Sequence, residues 1–249
     1  MKRVVRPILI AVLWLGLTGS GWMQFKSEPD DGSQGMTVTG LYRVPEDEGP
    51  FPAVILLPDC DGITPHERVW GMWLQSQGYA IHLIDSFFTR QIESVCDDPS
   101  VLAQLDDARG SLTKLLSLET IDPERIFVMG WQSGADTALM LAQEGPEEIR
   151  AVVVFYPTCA ATPELAIPVI FVMPDQHEAV EACTDYMRRE HQTGQVAVQR
   201  IAPYGVGAGF DCELCEGNYL GGPGGYDAAA TELVRTNLLE EMERLAVPQ

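Results

Sequence analysis

Basic residues are scarce in this sequence: 16 Lys and Arg stand against 36 Asp and Glu among 249 residues, a formal net charge of −20. A surface of that sign repels phosphate backbones and anionic bilayers, which excludes nucleic acid as a partner. Histidine is scarcer still, limited to His66, His82, His177 and His191. No segment recurs at a fixed period, so solenoid and propeller folds are excluded. Cys212-Glu-Leu-Cys215 has no second Cys-x-x-Cys to complete a zinc site, and Glu216 stands where haem attachment needs histidine. Neither a metal nor a cofactor is expected. Asp59, Asp61, Asp97 and Asp98 could meet a cation if the Cys60 and Cys96 loops come together, but they lack regular ligand spacing, which favours reading them as solvated acidic loops.

What is present begins with an export signal. Lys2, Arg3 and Arg6 precede an apolar stretch from Ile8 to Leu17 and the small residues Gly19 and Gly21. This order is that of a secretory signal peptide. The uncharged run from Pro7 to Phe25 is also just long enough for an uncleaved membrane anchor with the following domain outside the cytoplasm. Residues 1–25 therefore read as signal peptide or transmembrane anchor, residues 26–35 (KSEPDDGSQG) as a polar linker, and residues 36–249 as one domain. The location is periplasmic or extracellular. The even count of six cysteines (Cys60, Cys96, Cys159, Cys183, Cys212 and Cys215) suits such an oxidising compartment.

Within the domain, short apolar runs alternate with helical periodicity. FPAVILL (51–57), residues 79–84, 125–129, AVVVF (151–155), PVIFVM (168–173) and 196–201 read as strands, mostly buried on both faces. Residues 66–77, 101–118, 135–143, 180–191 and 227–245 read as helices. That alternation predicts an α/β fold, a mostly parallel central sheet with helices on both faces. Trp70, Trp73 and Trp131 suit core packing better than a ligand cage.

Active residues of such sheets lie on loops at the carboxyl ends of strands. After the strand ending at Met129 comes Gly130-Trp131-Gln132-Ser133-Gly134, with the glycine spacing of a nucleophile elbow. The side chain that this turn presents is Gln132, and an amide is not a nucleophile. Together with PAVILLPDCDGITPHERVW, GYAIHLIDSF, DPERIFVMGWQSGADTAL, VVFYPTC, IPVIFVM and GFD followed by GYDAAA, this turn gives the chain its likeness. From about Phe51 to Leu245 it resembles the dienelactone hydrolase family of α/β-hydrolases, most closely an exported branch that carries cysteines.

The resemblance implies a catalytic triad, and the departures fall on it. The nucleophile position holds Gln132, the acid position falls at or near His177 with Asp175 two residues away, and the base position holds Ala208. The oxyanion loop reads Pro58-Asp59-Cys60-Asp61-Gly62, with carboxylates where the family has glycines. Negative charge there opposes a developing oxyanion. No histidine follows His191, so nothing supplies a base after the last strand. These positions predict a catalytically inactive protein acting in binding or assembly. It would be an accessory subunit with a protein partner at a membrane complex, or a binder of a small-molecule ligand in the former active site. The alternative is a weak or atypical ester or lactone hydrolase using Ser133.

Cys60 and Cys96 follow consecutive strands and emerge at the same sheet edge, as do Cys159 and Cys183. Neighbouring parallel strands lie about 5 Å apart, so disulfides Cys60–Cys96 and Cys159–Cys183 are expected, leaving Cys212 to pair with Cys215.

Overall fold

The computed structural model describes residues 21–97, 103–162, 164–215 and 225–246. Eight strands form one sheet in the order β1-β2-β4-β3-β5-β6-β7-β8. They are β1 (Gly21–Lys26), β2 (Thr37–Arg43), β3 (Phe51–Leu57), β4 (Ala80–Asp85), β5 (Ile121–Trp131), β6 (Ile149–Phe155), β7 (Val169–Val172) and β8 (Val198–Ile201). The pairings from β4 through β8 are parallel, and β1 and β2 join in antiparallel sense. The helices are α1 (Pro65–Ser76), α2 (Gln104–Leu116), α3 (Ser133–Glu144), α4 (Val180–Thr193) and α5 (Ala228–Ala246).

The central strands are apolar without alternation because helices cover both faces. Two apolar layers result. One packs α2, α3 and α4 on the sheet through Leu112, Leu115, Leu139 and Tyr186. The other packs α1 and α5 through Trp70, Leu74, Val234, Leu238 and Met242. His82 lies inside the sheet, its Nδ1 2.7 Å from Ser111 Oγ, and burial pushes its pKa down to about 3, so it is a neutral core residue. Among the described residues no helix is long and apolar enough to cross a membrane.

The sheet begins earlier than composition indicates. Gly21–Lys26 pairs along its length with Tyr42–Thr37, ahead of the Met36 boundary. Residues 27–35 thus close a hairpin rather than tether the domain. Ser27 is buried, and its Oγ accepts from Met36 N at 3.0 Å. Gly110 of α2 crosses so close to Lys26 that an added Cβ would overlap the Lys26 carbonyl. Residues 1–20, Asp98 and the expected helix start at Val101 and Leu102 lie outside the described residues.

All three expected disulfides form, with Cα separations of 4.8 Å for Cys60–Cys96, 5.3 Å for Cys159–Cys183 and 5.4 Å for Cys212–Cys215. The first joins the loops after neighbouring strands β3 and β4, and the second joins the loop after β6 to the first turn of α4, the helix that follows β7. The loop after β4 is also held by a two-pronged ion pair, Arg90 to Asp107 at 2.8 and 2.9 Å.

Candidate functional site

The turn between β5 and α3 has the strained geometry of a nucleophile elbow. Gln132 sits at φ 44°, ψ −108°, a conformation that side chains rarely adopt. Its flanking glycines are required by close approach. A Cβ on Gly130 would collide with the Gly134 backbone, and one on Gly134 with the Leu57 and Pro58 carbonyls. Tyr156 and Cys159, on the next loop, also have positive φ, 37° and 50°. Positive φ at these non-glycine residues is concentrated along the carboxyl edge of the sheet.

Gln132 and Ser133 line a cavity of about 550 Å³, walled by Asp59, the Cys60–Cys96 disulfide, Leu105, Asp136, Thr137, Met140 and Thr158. Asp59 is the most buried carboxylate lining it. The carboxylate is 2% exposed, and its Oδ1 accepts from Cys60 N at 2.6 Å, Ser133 N at 3.2 Å and Ser133 Oγ at 3.0 Å. In an elbow of this kind, a developing oxyanion is received by the N–H after the nucleophile and one from the loop after the early strand. Here those N–H groups converge on Asp59 Oδ1, so the protein's own carboxylate fills the anion-receiving position. Burial pushes its pKa up to about 6, against the lowering effect of these donors, and nearby Glu67 adds to the rise. Among the described residues Asp59 Oδ2 has no hydrogen-bond partner.

The two loops on which the resemblance places the acid and the base meet. Gln176 N donates to Val206 O at 3.1 Å and Asp175 N to Pro203 O at 3.2 Å, bringing the loop after β7 against the loop after β8. Asp175 caps Gly205 N at 2.7 Å. His177 is buried, and its Nε2 lies 3.2 Å from the Pro157 carbonyl, an acceptor, so that nitrogen carries the proton. Burial holds the His177 pKa below its ordinary value. Ala208 is 5% exposed and packs in the α5-side core. Ser133 Oγ is directed to Asp59 rather than to a histidine. The oxyanion-loop residues are divided. Pro58 O accepts from Gln104 Nε2 at 2.9 Å, while Asp61 Oδ1 lies 3.3 Å from Cys96 Sγ at the rim. Gly62, at φ 74°, completes the turn with its N–H on Asp59 O. The Cys60 and Cys96 loops do meet, but both sulfurs are spent in the disulfide and cannot act as thiolate ligands.

Sequence reasoning missed two features. Asp136, in the first turn of α3, accepts from Thr158 N at 3.0 Å and Thr158 Oγ1 at 2.7 Å, and burial raises its pKa. Asp211, three residues after Ala208, is buried beneath the elbow. Its Oδ2 accepts from Trp70 Nε1 at 2.9 Å and more loosely from Trp131 Nε1 at 3.4 Å, and it pairs with His66 Nε2 at 3.0 Å. Its Oδ1 accepts from Tyr156 Oη at 3.1 Å. Burial opposes charge on both partners, but their attraction lowers the Asp211 pKa and raises that of His66. The signal available in the sequence was Asp211 itself, a carboxylate between the apolar Phe210 and Cys212 in a chain with tryptophans to spare.

The model of the dienelactone hydrolase family matches residues 38–245. An Esterase FrsA of Serratia proteamaculans is 31% identical over 122 residues, covering 47% of this chain and 28% of that protein. One from Klebsiella pneumoniae is 25% identical over 190 residues, covering 71% and 45%. The chain thus spans less than half the length of these curated relatives. Among solved structures, a dienelactone hydrolase-like promiscuous phosphotriesterase from metagenomic libraries superposes with a TM-score of 0.67 at 21% identity, over 91% of this chain and 98% of that one. A bacterial heroin esterase gives 0.66 at 15% identity, over 95% and 87%. At those identities the likeness is one of fold.

Proposed function

The chain belongs to the dienelactone hydrolase family, and from that premise we propose that it is an exported, non-catalytic member whose former active site binds rather than cleaves. The observation that carries this reading is Asp59 Oδ1 on the N–H groups of Ser133 and Cys60. An elbow whose anion-receiving donors already hold a carboxylate cannot give a tetrahedral intermediate the electrostatic help that dominates ester cleavage. Gln132 as the presented side chain and Ala208 in place of a base act in the same direction. The cavity of about 550 Å³ has the size of a small-molecule site, which favours a ligand there over a purely structural role beside a membrane partner.

Export is supported by the three disulfides. A cleaved signal peptide is favoured over an anchor because Gly21–Lys26 is committed to the sheet, leaving only the fourteen uncharged residues from Pro7 to Ser20. A transmembrane helix needs about 20.

One observation favours a second reading, a weak hydrolase. Ser133 Oγ donates to a carboxylate whose pKa is near neutral, a pairing that could activate the hydroxyl, and the relatives include esterases. Hydrolysis of p-nitrophenyl acetate by the purified, disulfide-intact domain separates the two. The binding reading expects no turnover above buffer. Turnover abolished by Ser133→Ala overturns it in favour of the hydrolase.

A further inference from the structure

We infer that the elbow cavity takes a cationic ligand, a protonated amine carried on a compact apolar body. The inference rests on the binding reading above and names the chemistry of the occupant.

The charge of the cavity has one sign. Among the described residues its walls hold Asp59 and Asp136 and no Lys, Arg or His. Asp61 adds a third carboxylate at the rim, against Cys96. Residues 98–102, next to Cys96 in the chain, contribute no basic group by sequence. Arg90, the cation nearest in sequence to that loop, is committed to Asp107.

A ring of exposed carboxylates would ordinarily be only a solvated surface. Asp59 differs because it is 2% exposed and its Oδ2 has no hydrogen-bond partner among the described residues. Its donors are two backbone N–H groups and one hydroxyl, none of them charged. Glu67, packed behind it on α1, is itself buried and adds negative potential. His66 also feels Asp59, but it is held by Asp211 at 3.0 Å. A buried carboxylate with neutral donors and, among the described residues, no cationic partner of its own is costly to keep ionised. A ligand ammonium entering the cavity would relieve that cost, and an anion would deepen it.

The rest of the lining suits such a ligand. Leu105, Met140 and the disulfide supply apolar walls. Gln132, held at the centre by its strained backbone, offers an amide that accepts from an N⁺–H or donates to a neutral oxygen. Thr137 and Thr158 add hydroxyls. Low surrounding polarizability makes a charge pair stronger there than in water.

The test compares three probes of similar shape on the disulfide-intact domain by isothermal titration calorimetry: phenethylamine, phenethyl alcohol and phenylacetate. The amine is expected to bind about tenfold or more tightly than the alcohol, an advantage of about 1.4 kcal/mol, with no measurable binding of phenylacetate. Asp59→Asn should remove the preference for the amine. An amine of this kind stays protonated from pH 5 to pH 7.5. In the unmodified protein its affinity should therefore weaken about tenfold toward pH 5 as Asp59 takes up a proton. Glu67, His66 and Asp136 face the same region, so the loss of this pH dependence in Asp59→Asn is what assigns it to Asp59. Equal affinity for amine and alcohol, tighter binding of phenylacetate, no binding of any probe, or an Asp59→Asn protein that keeps the preference would each overturn the inference. The non-catalytic reading fails separately, by ester turnover, whatever these titrations show.

Discussion

Ser133 turns both its backbone N–H and its hydroxyl onto Asp59, at 3.2 and 3.0 Å, so the N–H that receives an oxyanion in a hydrolase elbow becomes part of the solvation shell of a buried carboxylate. That relationship has a measurable thermodynamic cost. An acid whose folded pKa is raised from 3.8 to about 6 binds protons better folded than unfolded. It therefore removes stability as pH rises between those values, on the order of 2–3 kcal/mol in full above them. Asp59→Asn keeps an acceptor for the three donors and removes the charge. It should raise stability by about 1–2 kcal/mol at pH 7.5 and by little at pH 4. Urea unfolding at both pH values checks this, and equal effects at the two would show that Asp59 carries no charge penalty.

Gln132 should be a site of stored strain. At φ 44° a side chain costs energy that glycine does not, so Gln132→Gly should stabilise the domain by about 1 kcal/mol despite the added freedom of the unfolded chain. Gln132→Ser should be close to neutral in stability and remain inactive toward p-nitrophenyl acetate. Ala208 supplies no base and Asp59 still occupies the donors. A burst of p-nitrophenol from Gln132→Ser would refute that account of the site.

Asp211 should behave as a structural anchor beneath the elbow. Asp211→Ala leaves His66, Trp70, Trp131 and Tyr156 without their shared acceptor and should cost about 3–5 kcal/mol. The sign of its pH dependence follows from His66. Its raised pKa means that its charge stabilises fully below 6.5 and fades as pH climbs through the folded value, so the loss caused by Asp211→Ala should shrink in alkaline buffer. Denaturant midpoints at pH 6 and pH 9 measure it.

The disulfides should differ in their resistance to reduction. Cys96 lies exposed at the cavity rim, whereas Cys159 and Cys183 are 4% and 0% exposed. Limiting dithiothreitol followed by alkylation and peptide mapping should label Cys60 and Cys96 well before Cys159 and Cys183. Simultaneous labelling would mean that the buried bridge opens as readily as the rim.

The mature chain isolated from its native compartment should begin close to Gly21, because β1 needs Gly21–Lys26 for the sheet. N-terminal sequencing decides it, and a chain that still starts at Met1 and partitions with membranes would establish the anchor instead.

The parts legible in the sequence were those with a short-range cause. Buried parallel strands such as FPAVILL and AVVVF are apolar runs because both faces are covered, and Gly130 and Gly134 mark a turn that tolerates no Cβ. The disulfides followed from which strands emerge at the same edge. The departures from the family's pattern at Gln132 and Ala208 were visible because the resemblance calls for one atom type at each position. Other features depend on groups far apart in the chain. β1 did not announce itself, since six residues ending in Phe25 and Lys26 look like the tail of an apolar leader until Thr37–Arg43 pairs with them and Gly110 opens room. His66 and Asp211 lie 145 residues apart and become partners only when α1 and the loop after β8 pack beneath the elbow. Asp59 read as a charge that would repel an oxyanion, but only the folded loop shows it taking the oxyanion's place. A carboxylate's role is set by which donors it meets and how little water reaches it, and both are properties of tertiary packing.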